Sequence, residues 1–295
     1  MHATKRHGLT LIEVIFVLGI VAFAAAMFVP ATRGGRHAAR RSECKNNLKQ
    51  IGLAMHNYHD TFNRLPPGYV VGDEYATHLW GWSTYLLPYI DQNPLYNQLN
   101  VGVAGWIEND KSGSNTVLPA FRCSSDVGSP LVIGSIKAAR SNYVANNGCH
   151  LAINFAVNNP VCSTASLGTT GCVGGGPFSR NSNFRFPDCQ DGLSNTFLVG
   201  ERSSATTISS SMVGGDSIWI GAANVSPNGV GLILGDTHAV PNSSVATPYG
   251  YSSKHTGGAQ FLMADGAVRF ISSNIDLHTF QQISQHADLL PVGDF

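Results

Sequence analysis

The pattern of hydrophobic and polar residues divides the chain into a long apolar N-terminal run and a body of short, interrupted apolar segments. From residue 9 to residue 31 the only charged side chain is Glu13, and the eight residues before this run are polar and basic. As an α-helix these 23 residues would be about 35 Å long, enough to cross the hydrocarbon core of a bilayer. The pattern therefore predicts a membrane-spanning helix near the N-terminus.

Beyond the apolar run, hydrophobic residues recur at alternating spacings of four and three, which places them on one face of an amphipathic helix. This stripe consists of Cys44, Leu48, Ile51, Met55 and Tyr58. Pro66-Pro67-Gly68 ends any helix soon afterwards. We therefore predict one helix from Leu9 to about Asp60, whose second part packs on the globular body.

The body carries turn signals between short apolar runs. Asp265-Gly266 lies between the apolar runs 260–263 and 267–271, and this arrangement predicts a tight β-hairpin. Asp191-Gly192, followed by the apolar run 196–199, repeats the pattern less fully. Short helices and loops are expected over residues 61–120, and further strands over residues 217–220 and 230–234.

The predicted fold class is α+β: a long protruding N-terminal helix with a transmembrane first half, packed on an antiparallel, loop-rich β-sheet. The expected segments are a leader peptide (1–8), a transmembrane and assembly helix (9–31), its amphipathic continuation (32–60) and a β-rich body (61–295). Within the body we expect a cysteine-rich insertion at 145–190 and the hairpin at 255–271.

Charge and cysteine content narrow the functional classes. Lys plus Arg and Asp plus Glu both number 18, so no excess of positive charge points to nucleic acid as a partner. Six cysteines, four of them within 41 residues, favour a disulfide-permissive compartment over the alternative of reduced thiols in the cytosol. No Cys-x-x-Cys pair supports a structural zinc site. The six allow fifteen pairings: Cys44, Cys123, Cys149, Cys162, Cys172 and Cys189.

Glu13 is the most informative single residue, because a carboxylate inside an apolar span is costly and marks a functional site by default. If the chain were cut after Gly8, Leu9 would carry a new ammonium group, and that group on a neighbouring subunit would neutralise Glu13. The competing interpretation is a carboxylate hydrated near the membrane interface. Ala22-x-Ala24 also leaves ordinary signal-peptide removal open.

Lys5-Arg6-His7-Gly8 followed by Leu9-Thr10-Leu11-Ile12-Glu13-Val14 resembles the prepilin leader and cleavage/methylation motif of type IV pilins and type II secretion pseudopilins. The resemblance implies cleavage after Gly8 by a prepilin peptidase, methylation of Leu9, and a helix kink at Pro30. It also implies a single-pass inner-membrane protein that assembles with other pilin-like subunits, with a periplasmic or extracellular body. The positive-inside count argues the opposite orientation, since four arginines follow the span: Arg33, Arg36, Arg40 and Arg41.

A second resemblance covers much of the chain. Three blocks are similar to an uncharacterised pilin-like family abundant in planctomycetes, also labelled solute-binding. They are Cys44-x-Asn46-Asn47-Leu48-Lys49, Phe121-Arg122-Cys123, and His255 separated by nine residues from Asp265-Gly266. Because Cys44 and Cys123 both lie in its blocks, this resemblance favours a disulfide between them. Related pseudopilins hold calcium near the C-terminus, which makes Asp265 and His255 a candidate ion site, although no cofactor is required. The competing interpretation is that Asp265 only accepts turn hydrogen bonds.

These observations bear on three classes of function. The leading hypothesis is a pilin-like or pseudopilin structural subunit that assembles through its N-terminal helix into a type IV pilus-like or type II secretion-like filament. The alternative is a membrane-anchored binding module for a glycan or solute. An enzyme is not expected, because no Gly-x-Ser-x-Gly or paired acidic motif occurs. The binding alternative draws on tryptophans that look exposed: Trp80, Trp82, Trp106 and Trp219.

Overall fold

The structure is a computed structural model. It describes residues 10–71, 79–102, 113–132, 138–149, 175–204, 216–222, 230–243 and 249–290, and also 292, 293 and 295. The chain divides between Ser42 and Glu43 into two compact units. The boundaries expected after residues 8, 31 and 60 stay predictions.

Helix α1 runs from Leu11 to Phe62, close to the helix predicted from Leu9 to about Asp60. It continues through Pro30. Asn63 follows in a left-handed conformation (φ 53°), a common way for a helix to end. Among the residues that the structure describes, no helix has an apolar stretch long enough to cross a membrane.

The amphipathic stripe predicted on the second part of α1 is confirmed. Cys44, Leu48, Ile51 and Met55 are fully buried and Tyr58 is 9% exposed, and all belong to the main hydrophobic core. Gly52, on the same part of the helix, allows a close approach to the sheet. A Cβ atom added at Gly52 would lie 2.7 Å from Leu262 Cδ1.

A five-stranded sheet forms the centre of the second unit, with the strand order β5-β3-β4-β6-β7. Most neighbours are antiparallel, but β3 pairs with β5 in parallel, Ala145 opposite Leu234. The prediction of an antiparallel sheet was therefore wrong at this edge. The chain makes a long excursion between these two strands, so no hairpin forces them to be antiparallel. The strands are β3 Tyr143–Asn146, β4 Phe197–Glu201, β5 Leu234–Gly235, β6 Gly258–Met263 and β7 Val268–Ser272.

Both faces of this sheet are covered, since every residue of β3, β4 and β6 is buried. On one face Leu198 and Leu262 join the core that contains the α1 stripe. On the other face Phe197 and Phe261 pack with Phe280 from the C-terminal helix. Strands covered on both faces carry continuous apolar runs instead of an alternating pattern.

The predicted hairpin is confirmed as β6 and β7, paired from Gly258 opposite Ser272 to Leu262 opposite Val268. Gly266 has φ +80° and donates to the carbonyl of Met263 at 3.0 Å, so the turn needs a residue without a Cβ atom. The run after Asp191-Gly192 is also a strand, β4. The strand predicted at residues 217–220 is not formed, since within this range only Ile218 pairs, in a single bridge with Arg140.

The remaining described elements are short. They are helices α2 Trp82–Tyr85, α3 Asn93–Leu99 and α4 Leu277–Gln282, 3-10 helices at Leu87–Ile90, Pro119–Phe121 and Phe186–Asp188, and a small sheet of β1 Leu131–Val132 and β2 Ala138–Ala139. Those within residues 61–120 agree with the short helices and loops expected there. Trp80, Trp82 and Trp219 are at most 1% exposed, so the expectation of exposed tryptophans was wrong for these three. Trp106 lies outside the described residues.

Candidate functional site

The first turn of α1 holds the one carboxylate of the apolar run. Thr10 donates to Glu13 Oε2 through its backbone N–H at 2.8 Å and its hydroxyl at 2.9 Å. A glutamate three residues into a helix commonly accepts from the capping residue in this way. In a single chain, Glu13 therefore has a local partner. Gly8 and Leu9, the predicted processing residues, lie outside the described residues.

The apolar residues on both sides of Glu13 in the chain are exposed on every side of the helix. Leu11 is 80% exposed, Phe16 69% and Phe23 66%, and the large apolar residues between them are at least 44% exposed. A helix that is apolar all round belongs in a protein core or in a membrane rather than in water. This part of α1 is therefore a candidate assembly surface.

Cys44 and Cys123 form a disulfide, the pairing that the sequence resemblance favours. It joins α1 to the segment that follows the 3-10 helix Pro119–Phe121. The Tyr143 hydroxyl donates to the Cys44 carbonyl at 3.2 Å, so β3 also fixes this point of the helix. A covalent link thus holds the second part of α1 to the Cys123 segment, and a hydrogen bond holds it to β3.

The other cysteines differ in state. Cys149 is disulfide-bonded. Cys189 is a buried free thiol that donates to the Thr196 hydroxyl at 3.2 Å, so its predicted place in a disulfide was wrong. Burial raises the pKa of the Cys189 thiol, which keeps it protonated and unreactive. Cys162 and Cys172 lie outside the described residues.

Two ionisable side chains adjoin the disulfide. His255 Nε2 is 3.6 Å from Cys123 Sγ and 3.3 Å from Glu201 Oε1. The second oxygen of Glu201 accepts from the backbone N–H of Gln260 at 2.8 Å, whereas Oε1 accepts no hydrogen bond. One ligand atom from each of four buried residues lies within 4.8 Å of the other three, and we call these residues the Cys–Glu–His cluster: Cys44, Cys123, Glu201 and His255.

The calcium pair expected from sequence is not brought together. His255 lies before β6 and Asp265 after it, so the six-residue strand, about 20 Å long, separates them. Asp265 Oδ1 accepts from the backbone N–H of Ala267 at 2.7 Å, which is the ordinary role of aspartate in a tight turn. The structure therefore does not place these two side chains at one point, because the strand runs between them, and a shared ion stays a prediction.

A buried carboxylate, Asp126, ties the Cys123 segment to the residues after β4. Its Oδ2 accepts from the backbone N–H of Ser204 at 2.7 Å, and its Oδ1 accepts from the Gly128 N–H at 3.2 Å. The Ser204 hydroxyl and the Asn142 amide donate to it as well. Burial alone would raise the pKa of Asp126, but these hydrogen bonds outweigh it and the pKa lies below its ordinary value.

Arg202 follows Glu201 and is 1% exposed. Its guanidinium donates to four backbone carbonyls, including those of Gly250 at 2.9 Å and Leu234 at 3.1 Å. Burial lowers the pKa of Arg202 to about 10, so the group stays charged at neutral pH. Arg202 thereby joins the end of β4 to β5 and to the segment that leads to His255.

An open groove with a volume of about 380 Å³ lies on another part of the second unit. Tyr58 and Phe62 form one wall, with ring centroids 4.6 Å apart, and Tyr85 lies beside them. Burial raises the pKa of Tyr58 to about 12 and that of Tyr85 further, so both hydroxyls remain hydrogen-bond donors at neutral pH. The polar side of the groove consists of Arg64, Asn181, Ser182 and Asn183.

Sequence reasoning found parts of these sites. It identified Glu13, the Cys44–Cys123 pair and His255, but it missed Glu201, Asp126, Arg202 and the groove. Glu201 ends an apolar strand, Phe197–Glu201, whose residues are all buried, and a charged residue closing such a run was the one signal available.

Comparison with known proteins gives a family for this chain. No curated protein and no solved structure matches it. A family model described as "Protein of unknown function (DUF1559)", with the label SBP_bac_10, matches residues 33–278. The match covers most of the chain, including all four residues of the Cys–Glu–His cluster. The chain therefore belongs to the DUF1559 family.

Proposed function

We propose that this protein is a pilin-like structural subunit, cleaved after Gly8 by a prepilin peptidase and anchored by its N-terminal helix in the inner membrane. Its body would lie on the periplasmic or extracellular side and would assemble with other pilin-like subunits into a pilus-like or secretion-like filament. The proposal needs no cofactor and no chemistry of the protein's own.

The observation that carries this proposal is the all-round exposure of the apolar side chains from Leu11 to Phe23. Burial of such a helix among copies of itself or in lipid would remove a large apolar area from water. Glu13 is the only charge in the run, and it would then need a counter-charge instead of water. The ammonium group of a trimmed neighbour supplies one, in place of the Thr10 hydrogen bonds seen in the single chain.

The first test is the N-terminal sequence and mass of the protein purified from membranes of cells that contain a prepilin peptidase. We expect a chain that begins at methylated Leu9. A start near Ala25 or Met27 would indicate a secreted protein, and a chain that still begins at Met1 would contradict the proposal.

The second test separates assembly from processing. Glu13→Ala should leave cleavage after Gly8 intact but remove filaments from sheared surface fractions. Glu43→Ala is the matched control, because Glu43 lies on the same helix, is exposed, and stands outside the apolar run. Filaments that form equally well with Glu13→Ala would remove the proposed role of the carboxylate.

A second candidate function, a membrane-anchored binding module for a glycan or solute, is favoured by the aromatic groove. Its volume lies within the range of small-ligand sites, and aromatic faces beside amide and hydroxyl groups suit sugar rings. The SBP_bac_10 label of the family points in the same direction.

This candidate is tested on an oligosaccharide array with the full-length chain in detergent. We expect binding that Phe62→Ala weakens by roughly tenfold, since one stacking ring is lost. Val127→Ala is the control, because Val127 is exposed and does not line the groove. An array without hits, or equal binding by the two variants, would exclude the groove as a glycan site.

A further inference from the structure

The Cys–Glu–His cluster has the composition of a metal site although a disulfide occupies it. Two cysteines, a histidine and a glutamate are all common zinc ligands, and four of them complete a tetrahedral site. All four side chains are buried, from Cys44 at 0% to His255 at 9% exposure. They reach one point from α1, the Cys123 segment, the end of β4 and the loop before β6.

The separations between ligand atoms support this interpretation. Zinc at ordinary bond lengths would hold a sulfur and an imidazole nitrogen roughly 3.6 Å apart, and a nitrogen and an oxygen roughly 3.3 Å apart. In the structure, Cys123 Sγ lies 3.6 Å from His255 Nε2, and His255 Nε2 lies 3.3 Å from Glu201 Oε1. Two of the six edges of a ligand tetrahedron are therefore already present, and all four ligand atoms lie within 4.8 Å of one another. The two sulfurs would have to separate to roughly 3.8 Å.

The glutamate supplies an independent observation. Glu201 is 1% exposed, and its Oε1 points into the cluster without accepting a hydrogen bond. His255 Nε2 lies 3.3 Å from this oxygen without making a hydrogen bond to it, and a bound cation would give the buried carboxylate a closer partner. The other oxygen is held by the Gln260 N–H, so the carboxylate is already oriented.

We propose that reduction of the Cys44–Cys123 disulfide converts this cluster into a binding site for a divalent metal ion, with Zn²⁺ preferred. An external dithiol supplies two electrons and two protons, which yields two cysteine thiols and the disulfide of the reductant. The metal ion then displaces the two thiol protons and binds two thiolates, the neutral imidazole and the carboxylate. The protein thus has two cross-linked states at one point, a disulfide when oxidised and a metal site when reduced.

This inference is independent of the proposed function. The site needs neither the N-terminal helix to be in a membrane nor the groove to be occupied. It gives Glu201 and His255 a role as metal ligands. A structural subunit would not require these two side chains beside the disulfide.

The test titrates the full-length chain in detergent with Co²⁺, a spectroscopic substitute for Zn²⁺, before and after reduction with a phosphine. We expect one Co²⁺ per reduced chain, with thiolate-to-cobalt charge-transfer absorption and the visible bands of tetrahedral cobalt, all lost when Zn²⁺ is added. The oxidised chain should show none of these bands.

Variants identify the ligands. Cys123→Ser should abolish the charge-transfer band, and His255→Ala and Glu201→Gln should each weaken Co²⁺ binding by roughly tenfold or more. Cys189→Ser is the matched control, because Cys189 is a buried thiol outside the cluster and its loss should leave the spectrum unchanged.

Two results would overturn the proposal. One is a reduced chain that keeps its circular dichroism spectrum and binds no Co²⁺. The other is Co²⁺ binding that is the same in the wild type, His255→Ala and Glu201→Gln. If reduction unfolds the chain, Zn²⁺ must restore the folded spectrum in the same reductant, since metal binding is then coupled to folding. Failure to restore it would count against the site equally.

Discussion

Substitution of the buried Asp126 should show most clearly which hydrogen bonds stabilise the surroundings of the Cys–Glu–His cluster. Its carboxylate accepts four hydrogen bonds, from the backbone and hydroxyl of Ser204, the Asn142 amide and the Gly128 N–H. These bonds join the segment that carries Cys123 to the residues after Glu201. We therefore expect substitutions at Asp126 to lower the free energy of unfolding and to loosen the Cys–Glu–His cluster.

The magnitude follows from which bonds each variant can keep. In Asp126→Asn the amide NH₂ fits best at the Oδ1 position, where the Ser204 hydroxyl can turn to accept and only the Gly128 N–H loses its partner. One unsatisfied donor and the loss of charge in the other bonds should cost about 2 kcal/mol. Asp126→Ala removes the acceptor of all four hydrogen bonds, and only the Asn142 amide keeps another acceptor, the Arg202 carbonyl, so the cost should be about 4 kcal/mol.

The pH dependence gives a second check on Asp126. An unfolded aspartate has a pKa near about 3.9, and the folded pKa lies lower. The carboxylate therefore contributes its stability fully above about pH 4 and loses it as the pH falls through the folded pKa. The stability difference between the wild type and Asp126→Asn should accordingly shrink below about pH 4.

The assay is urea denaturation of both variants under non-reducing conditions at several pH values. Asp276→Asn is the control, since Asp276 caps α4 from an exposed position where asparagine caps equally well, and no change is expected. An Asp126→Asn variant as stable as the wild type at pH 7 would refute the reasoning. So would equal costs for the asparagine and alanine variants.

Two further predictions concern the sheet and the hairpin. Gly200→Ala should lower the free energy of unfolding by about 2 kcal/mol in urea denaturation, because the added Cβ would lie 2.5 Å from Tyr251 and 2.6 Å from Phe261. Gly293→Ala is the control and should be neutral, since nothing lies within 4 Å of its added Cβ. An equal effect of the two substitutions would contradict this prediction. His255→Ala and Asp265→Ala should be additive within about 0.5 kcal/mol in a double-mutant cycle, because β6 separates them; a coupling energy above about 1 kcal/mol would indicate a shared ion.

Sequence alone predicted the elements whose signals are local. The stripe from Cys44 to Tyr58 follows the period of a helix that packs on one side. Asp265-Gly266 specifies its turn because only the glycine tolerates the left-handed backbone conformation that the turn requires. In both cases the physical cause of the structure lies within about fifteen residues of sequence.

The arrangement of the sheet has no such local cause. Leu234 lies beside Ala145 in parallel, and the pairing depends on how the long connection between them returns. Because β3, β4 and β6 are buried on both faces, their residues do not alternate between apolar and polar. The sequence pattern could therefore indicate strands but not their order or direction.

The metal-type cluster was missed for the same reason. Zinc sites are found in sequence when paired ligands are close together, as in Cys-x-x-Cys. Here the four ligands come from positions 44, 123, 201 and 255, so each contributes a single donor to a site that exists only after folding. The absence of Cys-x-x-Cys argues against a zinc site with closely spaced ligands, but it says nothing about a site whose ligands are far apart in sequence.

The spacing between His255 and Asp265-Gly266 is explained by the strand between them. Nine intervening residues cover the approach to β6, its six residues and the start of the turn. The glycine and aspartate at one end reverse the chain, and the histidine at the other end joins the disulfide and Glu201. The spacing between His255 and Asp265-Gly266 therefore reflects the length of β6, whose two ends have separate roles. A fixed spacing in sequence indicates a shared site only when the intervening chain folds back, and an extended strand keeps its ends apart.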